Sequence, residues 1–345
     1  VAIRLRQRPG PDAPLFGPHQ GEHWQAAKLF VQAADGNHQE MVSHATHIHY
    51  LAEALILASR RNLHHRHPLM ALLDPHLSYT LKVNSTPLFL KNEQGQPGAF
   101  GKLFGGSYQA MLDLMAESMD SFDFQANAFP NDLRLRGMEN PQLFYPYRDD
   151  GRLIWQALED FVEEYLGGYY RTDRDLEADP ELQAWAREMG GQDGVRVNGF
   201  PGAISGLGQL RDTLTSLLFT LTAHHSSIHF AQYQYAGYVP NMPFAAYLAP
   251  PTDPDRPLEP DYLLRALPPL RPALYQSFIF YLSNFRANRI GDYRMEAYDT
   301  PGQAAILRFR DRLRKAGARI DAADRKRLCS YRLLHPDWIP NGVTI

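Results

Sequence analysis

Two stretches of this chain concentrate histidine on an apolar background. The first, ADGNHQEMVSHATHIHYLAEALI (34–56), carries His38, His44, His47 and His49; the second, TSLLFTLTAHHSSIHFAQYQY (215–235), carries His224, His225 and His229. Neutral imidazole suits mid-series transition metals such as iron or zinc. His225 and His229 are four residues apart, which puts both rings on one face of an α-helix. His44 and His47, three apart, also share a face. His44 and His49, five apart, diverge by about 140° at 3.6 residues per turn. Only a locally widened, π-type winding aligns them, and such bulges concentrate at functional sites. One i,i+4 pair alone reads as core histidines bonded to local carbonyls. Two histidine-bearing helices are poorly explained by packing, and the pattern points to a metal held between them.

The elements that must carry these residues follow from periodicity. Residues 22 to about 66 read as helical, with Trp24, Ala27, Val31 and Ala34, and then His44, Ile48, Leu51, Leu55 and Ala58, at spacings of three and four. Pro68 ends or interrupts that stretch. The second long helical segment spans 206–236. Further helices are expected over 107–119, 151–169, from about Pro180, and over 259–267, 272–285 and 300–318. Residues 1–21 read as an extended segment with loops, 94–106 as a turn-rich insert, 249–260 as a Pro-rich connection, and LLHPDWIPNGVTI as an extended terminus. The expected class is mainly α: one helical domain over 1–345, with long central helices and irregular connections.

Composition narrows the classes of function. The chain has 345 residues, 44% of them hydrophobic, enough for a substantial core, and a net charge of −3 gives no general attraction to nucleic acid. The basic run RFRDRLRKAGAR (308–319) reads as a solvated helical face, because Asp311 interrupts it and Ile306, Phe309 and Leu313 fall at helical spacing. Cys329 is the single cysteine, so no disulfide forms within the chain. No apolar run has the length of a membrane span. The first residues, VAIRL, read like the middle of a domain, so an upstream portion is expected.

Five blocks together resemble the lipoxygenase family. They are HWQAAKLFVQAADGNHQEMVSH (23–44), EALILASRRNLHHRHPLMALLDPH (53–76), HHSSIHFAQYQYAGYVPNMP (224–243), FRANRIGDY (285–293) and the terminal PNGVTI. They run in the family's order from residue 23 to residue 345, and the short form and its loops look more like bacterial members. The resemblance implies a helical catalytic domain holding one non-haem iron (Fe2+/Fe3+). Carried over, its ligands are His44 and His225, His229 at a variable Asn/His position, and the main-chain carboxylate of Ile345. Gln232 matches a glutamine that orients the ligands.

Two positions depart from the family pattern. The first histidine of the family lies five residues before His44, which here is Gln39, while a histidine stands one step earlier at His38. Gln39 could ligate through its amide oxygen, a harder and weaker donor than imidazole. Alternatively, altered winding brings His38 in, or the site binds iron poorly and oxygenase activity is lost. In VNSTPLFL, Pro87 occupies the small-residue position that helps set oxygen stereochemistry in the family, so that rule does not transfer.

The implied reaction is dioxygenation of a polyunsaturated fatty acid. A bis-allylic hydrogen is removed at the iron centre and O2 adds to the carbon radical from the opposite face, giving a hydroperoxide. A long apolar cavity is expected for the acyl tail, with fatty acid and O2 as partners, peripheral membrane contact, and a cytoplasmic or membrane-peripheral location. Rival readings are a zinc hydrolase, for which Glu40 four residues before His44 is the available carboxylate, a non-catalytic lipid-binding scaffold, and a hydroperoxide isomerase.

Overall fold

A computed structural model describes residues 2–5, 10, 12–86, 91 and 94–344. The chain forms two compact units, one built from Val1–Ala45, Thr86–Ser118 and Phe230–Phe285, the other from Thr46–Ser85, Met119–His229 and Arg286–Ile345. Helix dominates both. Among the described residues the strands are the short antiparallel pair Ile3–Arg4 and Leu15–Phe16, in the segment expected to be extended. No helix of the described residues is long and apolar enough to cross a membrane.

In the first unit the helix Glu22–His38 buries Ala26, Ala27, Leu29, Ala33 and Gly36. Gly36 is there for close approach: a Cβ on it would stand 3.3 Å from the Phe244 ring. Phe244 packs on Phe280, which also meets Phe100. Gln276 holds the loop beyond the helix Gln232–Ala236, donating to the carbonyls of Ala236 and Met242 at 2.8 and 2.9 Å. The helix Leu270–Leu282 leaves Leu270, Leu274, Phe278 and Tyr281 exposed.

The second unit holds the larger core. The helix Pro146–Leu166 packs along Thr300–Asp324 and Leu207–Phe219, and Leu51–Asn62 packs on Pro180–Gly190. Phe161 stacks on Phe309 with centroids 4.4 Å apart, and Trp185 donates to Ser59 Oγ at 3.1 Å. The basic run behaves as its periodicity requires. Ile306, Phe309 and Leu313 are buried, while Arg308 and Arg312 pair with Glu164 on the neighbouring helix.

Helix ends differ from the periodicity in ways that capping explains. The first long helical stretch closes at Asn62, because His67 Nδ1 accepts from Leu69 N at 3.1 Å and starts a new helix, Pro68–Leu73. The helix expected over 151–169 starts at Pro146 and stops before Gly167. The last helix runs to Asp324 instead of 318, from a start capped by Asp299. Phe129–Leu135 is a short helix absent from the sequence reading. Phe161→Ala should remove about 3–5 kcal/mol of stability, read as a lowered urea midpoint in circular dichroism, because its ring is fully buried against Phe309.

Candidate metal centre

The first histidine segment is wound as a π-helix over Gln39–Tyr50, continuous with α-helix on both sides. Its i→i+5 repeat aligns residues 39, 44 and 49, the alignment that ideal α-winding denies to His44 and His49. His44, His49 and Glu40 are buried, Gln39 is half-buried, and His38 is exposed. His44 Nδ1 lies 3.2 and 3.3 Å from the two carboxylate oxygens of Glu40. Gln232 Nε2 donates to the same carboxylate, and stands 3.3 Å from His44 Nδ1 and 3.5 Å from Gln39 Oε1. The Gln232 carbonyl oxygen is buried with no hydrogen-bond partner among the described residues.

The second segment repeats the device. Leu207–Phe219 is α-helical, Thr220–His224 is a π-turn, and His225–His229 returns to α. The rings of His225 and His229 are buried and stacked, with centroids 5.1 Å apart. His49 meets the His225 ring edge-on at 5.4 Å, and its own Nδ1 is 2.9 Å from Asn84 Oδ1. Asn84 in turn donates to the His49 carbonyl and to Glu53. His224 points elsewhere, with Nδ1 2.8 Å from the Tyr147 hydroxyl; burial lowers its pKa to about 4, so it is neutral at pH 7. His47 packs on Phe122.

His44, in the first unit, and His225 and His229, in the second, are all buried. Buried imidazole donors suit a divalent transition metal. The Glu40 carboxylate on Nδ1 of His44 leaves Nε2 as its coordinating nitrogen. The side-chain oxygen of Gln232, whose amide nitrogen lies 3.3 Å from His44 Nδ1, is a buried polar group that suits a bound ligand. The residues therefore fit a resident metal ion.

A family model described as lipoxygenase matches residues 14–263. The chain belongs to the lipoxygenase family. It is similar to the polyunsaturated fatty acid lipoxygenase ALOX8 of Mus musculus, 31% identical over all of this chain and 51% of that protein. It is likewise similar to the linoleate 9/13-lipoxygenase of Pseudomonas aeruginosa, 32% identical over all of this chain and 52% of that protein. An anaerobic crystal structure of a lipoxygenase variant, delta413-417:GS, in complex with arachidonate superposes with a TM-score of 0.91. That match is at 29% identity and covers the whole of this chain and 52% of that one. The lipoxygenase chain thus spans about half the length of the relatives it matches.

Of the residues that the sequence singles out, Ile345 and Pro87 lie outside the described residues. The C-terminal segment is described as far as Thr344, and it is threaded through the interior of the second unit. Ser226, next to His225, donates to the Leu333 carbonyl at 2.7 Å. Ile290 N donates to Ile339 O, Asn341 N to Asn288 Oδ1, and Thr80 Oγ1 to Val343 O. Gly342 is needed there, since a Cβ on it would stand 2.2 Å from the His76 carbonyl. His76 itself spans the segment, with Nδ1 2.5 Å from Asn341 O and Nε2 3.1 Å from the Tyr293 hydroxyl. These tethers account for the sequence blocks DPH and RANRIGDY, whose roles periodicity does not disclose. Asn84 is the other addition; Glu40 and His49 were visible in the sequence, through the i,i+4 spacing of Glu40 and His44 and the five-residue spacing of His44 and His49.

Burial lowers the His76 pKa from 6.5 to about 4, against the hydrogen bond to Asn341, which raises it. The neutral ring is the form that donates from Nδ1 and accepts at Nε2. A depressed folded-state pKa means its contribution is complete above the ordinary pKa of 6.5 and lost as pH falls towards 4. Unfolding free energy should therefore drop by roughly 3 kcal/mol across that window from this group. A His76→Gln variant should lose that component of the pH dependence in urea titrations.

Proposed function

We propose that this chain is the metal-bearing part of a dioxygenase that converts a polyunsaturated fatty acid to its hydroperoxide. The single observation carrying the reading is that the histidines His44, His225 and His229 are all buried in a chain of the lipoxygenase family. Non-haem iron is the proposed metal. When bound, it supplies the one-electron redox chemistry that removal of a bis-allylic hydrogen requires. The chain's own residues do the rest. His44, His225 and His229 bind and orient the ion, and their burial keeps bulk water from it. The main-chain carboxylate of Ile345 is proposed as the anionic ligand. The tethering of Leu333, Ile339, Asn341 and Val343, in the segment described as far as Thr344, supports that reading.

In the slot five residues before His44 we propose Gln39 rather than His38. His38 is exposed, whereas Gln39 Oε1 lies 3.5 Å from Gln232 Nε2, within the polar network around Glu40. An amide oxygen there is a weaker donor than imidazole. That feature also favours a second reading, a lipid-binding scaffold that holds iron loosely.

The reading is tested by measuring metal content and conjugated-diene absorbance on one preparation supplied with linoleate or arachidonate. Bound iron with diene formation is expected. Iron without diene would favour the scaffold, and zinc as the sole metal a hydrolase. His225→Ala should bring iron content down to background, and one residue added after Ile345 should lower it nearly as far. Gln39→His should raise iron occupancy; unchanged occupancy would point to His38.

A further inference from the structure

We infer that the tip of the loop 325–331, with the cations around it, is a docking point for an anionic lipid surface, which gives a place to the peripheral membrane contact expected from the sequence. Nothing in it depends on the metal centre. The helix Thr300–Asp324 pairs most of its cations: Arg308 and Arg312 meet Glu164, while Arg314 and Lys315 meet Asp311. Its C-terminal end differs. Residues 319–332 hold five Lys and Arg against two Asp, in a chain whose net charge is −3. Arg319, Arg325 and Lys326 are exposed and have no ion pair among the described residues. Arg332 reaches Asp321 only at 3.9 Å.

Leu328 stands among these cations and is 97% exposed. A lone exposed leucine is ordinary on a protein surface. This one is held out by its own loop. Arg327 turns inward, its side chain 8% exposed, and donates from both Nη atoms to Asp150 at 2.6 and 2.8 Å. Asp324 gathers the rest, accepting from Arg327 at 3.3 Å, from Ser330 Oγ at 2.6 Å and from Tyr331 N at 2.7 Å. These charges are largely buried, so solvent screens them little and the base of the loop is fixed. Leu328 and the exposed Cys329 are left as its outer corner. A nucleic-acid backbone would use the cations and leave the leucine idle. A bilayer interface takes both, with anionic headgroups facing the cations and the acyl boundary receiving the leucine. Each cation near such a surface strengthens binding about fivefold, and immersion of a leucine side chain about tenfold.

The test uses the whole chain. Unlabelled protein is sedimented with vesicles, and in parallel the natural Cys329 carries an environment-sensitive fluorophore. Vesicles of equal parts phosphatidylglycerol and phosphatidylcholine should pull the chain down and shift the label's emission to the blue, and added salt should release it. Pure phosphatidylcholine should bind it far more weakly. Leu328→Ser should lower the affinity for mixed vesicles about tenfold, and Arg325→Ala with Lys326→Ala about 25-fold. These side chains are exposed, so circular dichroism should be unchanged. Sedimentation without a blue shift, or binding that survives both sets of substitutions, would put the lipid contact elsewhere and overturn the inference. Equal binding to both vesicle types, or binding to neither, would overturn it as well. A blue shift with polyaspartate and none with vesicles would replace the lipid by an acidic polypeptide, and the inference would fall.

Discussion

An imidazole taken out of water brings two nitrogens that both need partners, and much of this structure is arranged around that requirement. His76 is closed by protein on both sides, between Asn341 and Tyr293. His49 has Asn84 on Nδ1, and His224 has Tyr147. His44 has Glu40 on Nδ1, and His225 and His229, stacked on each other, are buried as well. A metal ion is a partner that meets the requirement Asn341 and Tyr293 meet for His76, and imidazoles such as those of His44, His225 and His229 are the donors it takes.

Geometry then dictates the winding. In an α-helix, residues five apart diverge, so one helix cannot present 39, 44 and 49 together. The twelve residues Gln39–Tyr50 take π-winding, and five residues before His225 do the same. Such winding is uncommon in proteins and costs favourable α-helical packing within the helix. The large apolar core of the second unit, built around Phe161, Phe309 and Trp185, stabilises the fold that carries one of the two segments. Stability is supplied there and expended at the histidines.

Much of this was legible in the residues. Histidine spacing pointed to a metal, and the misalignment of His44 with His49 pointed to a π-bulge, although a bulge of one turn understates a run of twelve residues. The long helices emerged from periodicity, with ends moved by proline starts and side-chain caps that act over one or two residues. What spacing could not disclose were partners distant in sequence. Gln232 reaches Glu40 across 192 positions, and His76 reaches Asn341 across 265. A one-dimensional pattern records which side chains share a face, and says nothing of which tail or loop lies opposite.

The π-wound segment has a consequence for how its length can vary. A helix in water tolerates a gained or lost residue by rotating its exposed face. Here each residue removed between Gln39 and Tyr50 would turn every later side chain by close to a quarter turn relative to the earlier ones. His44 would then part company with either Glu40 or the rest of its helix. Substitutions within the segment are open to gradual change, but insertions and deletions there are closed to it.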